Sequence, residues 1–179
     1  MNDQAVIDPT RRWIANVVIG LNLCPFARRV FEGDKIRYVL SDAADTDALL
    51  ADLKDELRRL VAEPIGVVET TILIHPHVLQ DFLDYNDFLG RADERLDALD
   101  LSGVIQIASF HPQYRFAGTK PDAVENSTNR SPFPMLHLLR EESVSRVAGD
   151  AEFLEAIPAN NIETLRKLGL RELQRLIEG

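Results

Sequence analysis

Val104-Ile105-Gln106-Ile107-Ala108-Ser109-Phe110-His111-Pro112 reads as an apolar strand closed by a histidine and a proline. β-Branched and aromatic residues suit a pleated, half-buried backbone, and a proline keeps the residue before it extended or in a turn. A long polar loop follows, from Gln113 to Asn129. The loop leads to Arg130-Ser131-Pro132-Phe133-Pro134, which is expected to open a helix carrying His137. Segment 103–142 is therefore the expected site-bearing core of the chain.

Working back from that strand, the same pattern recurs. Ile36 to Leu40 reads as a first strand and Val67 to Ile74 as a second, the latter ending in His75-Pro76-His77. Between them, Leu49, Leu50, Leu53, Leu57, Leu60 and Val61 recur at helical spacing. After the second strand, Val78, Leu79, Phe82, Leu83, Phe88 and Leu96 do the same. Strand, helix, strand, helix, strand predicts an α/β fold: a small, mostly parallel three-stranded βαβαβ sheet flanked by helices, with an α+β ferredoxin-like arrangement as the alternative. An N-terminal helix is expected to start at Asp8-Pro9, with Ile14, Val17, Val18 and Leu21 on its core face, and to end before Pro25. A second short helix is expected at Cys24, with the Cys at the N-cap and Pro25 at the first helical position. Residues 150–179 read as a helical segment: Asp150 caps a short helix ending near Ile157-Pro158, Asn160-Asn161-Ile162-Glu163 resembles a capping box, and Gly169 ends a turn.

The 179 residues fit one globular domain, and at 45% hydrophobic and 27% charged they can build a core without disulfides or a structural metal. A net charge of −9 argues against nucleic acid, because a polyanion is held by clustered Lys and Arg. One Cys excludes an internal disulfide and fits a reducing compartment. No apolar run approaches the roughly 20 residues that cross a bilayer. A cytoplasmic protein with no membrane partner is expected. The oligomeric state is not readable.

In a parallel sheet all strands end along one edge, and ligands gather outside those ends. His75, His77 and His111 each lie just past a strand end and are candidate ligands for a divalent transition metal, with His137 or Glu69 as a further donor. Histidines that only hold loop backbone have the same sequence signature. In the loop, Asn126, Thr128, Asn129, Arg130 and Ser131, with Tyr114 and Arg115, are candidates to bind an anion, phosphate or carboxylate, at the start of the expected helix. His111 and His137 are the candidates for proton transfer. Cys24 is a candidate nucleophile, because a helix N-terminus lowers a thiol pKa.

Three stretches taken together, Asn22-Leu23-Cys24-Pro25-Phe26-Ala27, Phe110-His111-Pro112-Gln113-Tyr114-Arg115-Phe116 and Thr128-Asn129-Arg130-Ser131-Pro132-Phe133-Pro134-Met135-Leu136-His137-Leu138-Leu139-Arg140-Glu141, resemble the hallmarks of the bacterial domain-of-unknown-function family 1415. The resemblance spans nearly the whole chain. It implies a bacterial, cytoplasmic, single-domain protein and brings no reaction with it. Three functions are carried forward from the residues: an enzyme acting on a small anionic molecule through its strand-end histidines, with or without a divalent metal; a metal-free thiol enzyme using Cys24; and a non-enzymatic ligand- or protein-binding module, for which the acidic helix faces at Asp42–Glu56 and Asp81–Asp100 would meet a basic partner.

Overall fold

The computed structural model describes residues 3–148 and 151–178. Its centre is a four-stranded sheet of β1 (Ile36–Leu40), β2 (Thr70–Ile74), β3 (Ile105–Phe110) and β4 (Met135–Arg140), in the order β1-β2-β4-β3. β1 and β2 pair in parallel, whereas β4 runs antiparallel to both β2 and β3. The three strands read from the sequence therefore share one direction. They do not form a three-stranded parallel sheet, because a fourth strand is inserted between β2 and β3. The fold is mixed α/β.

β4 is the main departure from the sequence reading. His137 lies on this strand and not on a helix, and no helix starts at Ser131. Met135-Leu136-His137-Leu138-Leu139-Arg140 is rich in good helix formers, but helix propensity amounts to tenths of a kcal/mol per residue and tertiary pairing overrides it. Here β2 and β3 bond the segment from both sides. Its side chains alternate: Leu136 and Leu138 face one core, and Met135 faces the other.

Those two cores make three layers. One face of the sheet is covered by α3 (Thr46–Ala62) and α4 (Phe82–Asp97), which bury Leu49, Leu53, Leu57, Tyr85 and Phe88. Asp45 caps α3 through Ala48 N–H, and Asp81 caps α4 through Leu83 and Asp84 N–H. The other face is covered by α1 (Asp3–Trp13), its continuation Ile14–Ile19, and Leu165 and Leu173 from the C-terminal helices. α1 starts before Asp8, so Pro9 lies inside it. Ile14–Ile19 is a π-helix, a wider winding often seen at functional sites. Gly20 closes it by donating to Ala15 O at 3.0 Å. A Cβ at Gly20 would lie 2.2 Å from Asn16 O, so the close turn requires glycine.

α2 is shorter than expected and begins later, at Ala27–Glu32 with Phe26 at the N-cap. Cys24 therefore caps no helix. It precedes a turn in which Ala27 N–H donates to its carbonyl. α5 (Glu141–Ala148) follows β4 directly. α6 (Ala151–Leu168) runs through Pro158 without the expected break, and α7 (Leu170–Glu178) follows Gly169, which has φ +78°. Asn161 builds no capping box. Its buried amide donates to Leu23 O at 2.8 Å and ties α6 to the Cys24 segment. The expected cap at Asp150 lies outside the described residues. None of the helices in the described residues is long and apolar enough to cross a membrane.

Candidate functional site

The strand-end histidines are found at one edge, as their shared strand direction requires, but they are structural in their bonding. His75 and His111 flank the buried Tyr85 ring, with centroid distances of 5.8 and 5.1 Å. His75 Nδ1 donates to Val78 O at 3.1 Å. His111 Nδ1 accepts from Gln113 N–H at 3.0 Å, which leaves Nε2–H to donate to Leu79 O at 3.2 Å. Burial holds both rings neutral: it lowers the His75 pKa to about 4 and lowers that of His111 as well. His77 is exposed. Among the described residues no group of three His, Cys, Asp or Glu side chains could hold a metal ion, so the expected set His75, His77 and His111 does not converge.

The polar loop binds itself. Asn126 is fully buried: its Oδ1 accepts from Phe116 N–H and from Thr119 Oγ1, and its Nδ2 donates to Lys120 O. Thr128 donates to Glu125 O, Asn129 to Ser109 O and Ser131 to Phe133 O. The Arg130 guanidinium donates to Tyr114 O and Pro121 O, and Tyr114 packs 5.1 Å from Phe82 and from Phe116. These residues fold the connection between β3 and β4, which contains a 3-10 helix at Val124–Thr128. With no helix starting at Ser131, the helix dipole expected to hold an anion is absent. Arg115 is exposed and shares a shallow surface groove with Arg130, Gln113 and Asp81.

Cys24 and His137 face one space. Both line a cavity of about 80 Å³ between the sheet and the helices of the N-terminal layer. That is several times the roughly 10–15 Å³ that one water needs. The walls are Trp13, Ile14, Val18, Phe26, Ala27, Val30, Ile36, Ile72, Phe110, Met135, Leu139 and Val144, with Glu69, Thr70, Arg29, Arg140 and Ser143 as the polar part. All three hallmark stretches contribute to this lining, through Cys24, Phe110 and His137.

His137 has a defined state here. Thr70 Oγ1 lies 2.6 Å from His137 Nε2 and 2.6 Å from Leu138 O. A hydroxyl has one proton. With that proton given to the Leu138 carbonyl, Nε2–H of His137 donates to Thr70, and Nδ1 keeps its lone pair without a partner among the described residues. Desolvation of the half-buried ring lowers its pKa to about 4 and keeps it neutral. Cys24 is also largely buried. Burial raises its thiol pKa and outweighs the backbone N–H groups of Phe26 and Ala27 that favour the thiolate. It rests as a thiol.

At one end of the cavity Glu69, only 2% exposed, receives both ends of the Arg29 guanidinium and the Lys35 ammonium. The Arg29 bonds, followed by those of Lys35, hold its carboxyl below the usual range. Arg140 Nη2 donates to Leu60, Glu63 and Val68 carbonyls. Among the described residues, Arg140 Nε and Ser143 Oγ are buried atoms without a hydrogen-bond partner. Sequence reading did not single out Thr70, Arg29, Arg140, Ser143 or Trp13 as site residues. Two-residue alternation in β2 and β4 would have put Thr70 and His137 on one face, but only once 135–140 was recognised as a strand.

The family described as protein of unknown function (DUF1415) matches residues 5–175. The chain belongs to the DUF1415 family. No curated protein and no solved structure matches it.

Proposed function

We propose that the protein binds a small, mostly apolar organic molecule in the cavity roofed by Cys24 and Phe26, with His137 Nδ1 accepting a hydrogen bond from it. The observation that carries this reading is the free lone pair of a neutral, fixed imidazole in an otherwise apolar cavity. Concave apolar walls with a few convergent polar groups are the usual form of a small-molecule site. Arg29, Arg140 and Lys35, which bonds Glu69 from beside the cavity, outnumber the single Glu69 carboxylate, so this end is net positive while His137 is neutral, in a chain of net charge −9. A neutral or anionic molecule suits that lining and a cation does not. The small anionic ligand expected from the sequence is thus assigned to this cavity and not to the Arg130 loop.

A second reading follows from Cys24 and His137 lining the same cavity. A bound molecule that brings the thiol and the imidazole together would make them a nucleophile and its base, and the protein a metal-free thiol enzyme.

Trp13 is the only tryptophan in the chain and it lines the cavity, so its emission reports occupancy. Small apolar molecules are expected to change that emission saturably. Ala27→Phe, which fills the cavity, abolishes the response. His137→Gln weakens binding of hydrogen-bond donors more than of hydrocarbons. An undiminished response in Ala27→Phe would remove the cavity as the site.

A further inference from the structure

We infer that the occupant is a monocarboxylate whose otherwise apolar tail carries a hydroxyl, lying along the strands with its carboxylate against Arg29, Arg140 and Ser143, the hydroxyl donating to His137 Nδ1 at the middle row, and the end of the tail against Trp13, Phe110 and Met135. This rests on the cavity reading above and deepens it.

The cavity is polarised by the register of the sheet. Ile36, Thr70 and Leu139 form one cross-strand row. Tyr38, Ile72, His137 and Ala108 form the next row on that face, and Leu40, Ile74, Met135 and Phe110 the third. Successive rows are roughly 7 Å apart, two residues of strand rise. Beside the first row, Glu69 precedes Thr70 and Arg140 follows Leu139, Arg29 is bonded to Glu69, and Ser143 is in the first turn of α5; all four line the cavity. At the third row, Phe110 packs edge-on to Trp13 at 5.4 Å and Met135 is fully buried. A molecule that fills this space has one polar end and one apolar end.

The donors choose the polar group. The Glu69 carboxylate is already bound by Arg29 and Lys35. Arg140 Nε and Ser143 Oγ each carry a proton with no acceptor, and an unmade buried hydrogen bond is costly. A carboxylate offers two acceptor oxygens and a negative charge, which matches two donors at a net positive end. An ammonium brings only more donors. A phosphate dianion brings three terminal oxygens to two free donors.

The test uses the full chain at pH 7.5 with hexanoate, 1-hexanol and hexylamine, followed by calorimetry and by Trp13 emission. Hexanoate is expected to bind at least tenfold more tightly than 1-hexanol, and hexylammonium not to bind. Ser143→Ala should weaken hexanoate three- to tenfold and leave 1-hexanol unchanged. Arg29→Gln, at the half-exposed rim, serves as the second variant if Ser143→Ala does not fold. Equal affinity for hexanoate and 1-hexanol, or a preference for hexylammonium, with Ala27→Phe still abolishing the response, overturns the carboxylate assignment and leaves the cavity reading standing. No response to any of the three overturns both.

Discussion

Thr70 on β2 and His137 on β4 meet across the sheet, with the hydroxyl oxygen 2.6 Å from Nε2. The contact fixes both the orientation and the tautomer of the imidazole that faces the cavity. Thr70→Val keeps the shape and removes the hydroxyl. It is expected to cost about 1–2 kcal/mol in denaturant unfolding, because a buried carbonyl and a ring N–H each lose a partner. It should also weaken binding of hydrogen-bond-donating probes by freeing the ring to rotate. Unchanged stability and unchanged probe affinity together would mean that the pair positions nothing.

Acid should unfold this protein before its carboxylates explain it. His75 and His137 titrate near 4 in the folded chain against an ordinary histidine value of 6.5, and His111 is lowered too, all by burial. The unfolded chain therefore binds more protons between those values. The stability is fully present above about pH 6.5 and is lost as pH falls toward 4, with up to about 1.4 kcal/mol per pH unit from each group. Urea midpoints measured from pH 7.5 to 4.5 should fall steeply, and His137→Gln should flatten the slope. A flat profile across that window would contradict the buried neutral state.

Cys24 should react slowly. Its burial raises the thiol pKa, so iodoacetamide alkylation at pH 7 is expected to run well below the rate of a free thiol and to increase as pH rises past about 8.5. A bound cavity ligand should slow it further, because the thiol lines the same space. Fast alkylation at pH 6 would instead reveal a stabilised thiolate and favour the thiol-enzyme reading.

Tyr85 holds the ends of two strands. Its hydroxyl donates to Met135 O at 2.8 Å and accepts from Phe110 N–H at 3.0 Å. Tyr85→Phe leaves both unpaired and should cost about 1–3 kcal/mol, seen as a lower thermal midpoint with hexanoate binding reduced through the displaced Phe110. A midpoint within error of the parent would show that water replaces the hydroxyl.

Gly20→Ala drives a methyl group into Asn16 O, 2.2 Å away. The π-helix would have to rewind, with a loss of about 2 kcal/mol or more and a shifted Trp13 emission maximum. An unshifted maximum with full stability would show that the turn tolerates a side chain.

The elements that could be read from the sequence were those with a strong period and a clean cap. α3, with its leucine stripe, and β1 fall where the residues put them. The common direction of β1, β2 and β3 followed from the alternation of helices and strands, and so did the single edge shared by His75 and His111. β4 was not legible, because Met135 to Arg140 has helix-forming residues and becomes a strand only through partners 60 or more residues away in β2 and some 30 away in β3. That one misreading displaced His137 and the anion site with it. Cys24 and His137 were picked out by chemistry, and the cavity they share became visible only once the register put them on one face. Ser143 and Arg140 carry no signal in the sequence, since their interest lies in bonds they do not make.

β4 also sets an order of events. β3 has no other pairing partner in the sheet, and β2 has only β1 besides. A chain released from the ribosome after Phe110 would hold a two-stranded ribbon and one stranded segment, with an unpaired edge on each. Assembly of both cores must wait until Met135 to Arg140 has been made. Nascent chains that stop short of Arg140 should therefore depend on chaperones and be degraded quickly, whereas chains that include β4 close their own edges.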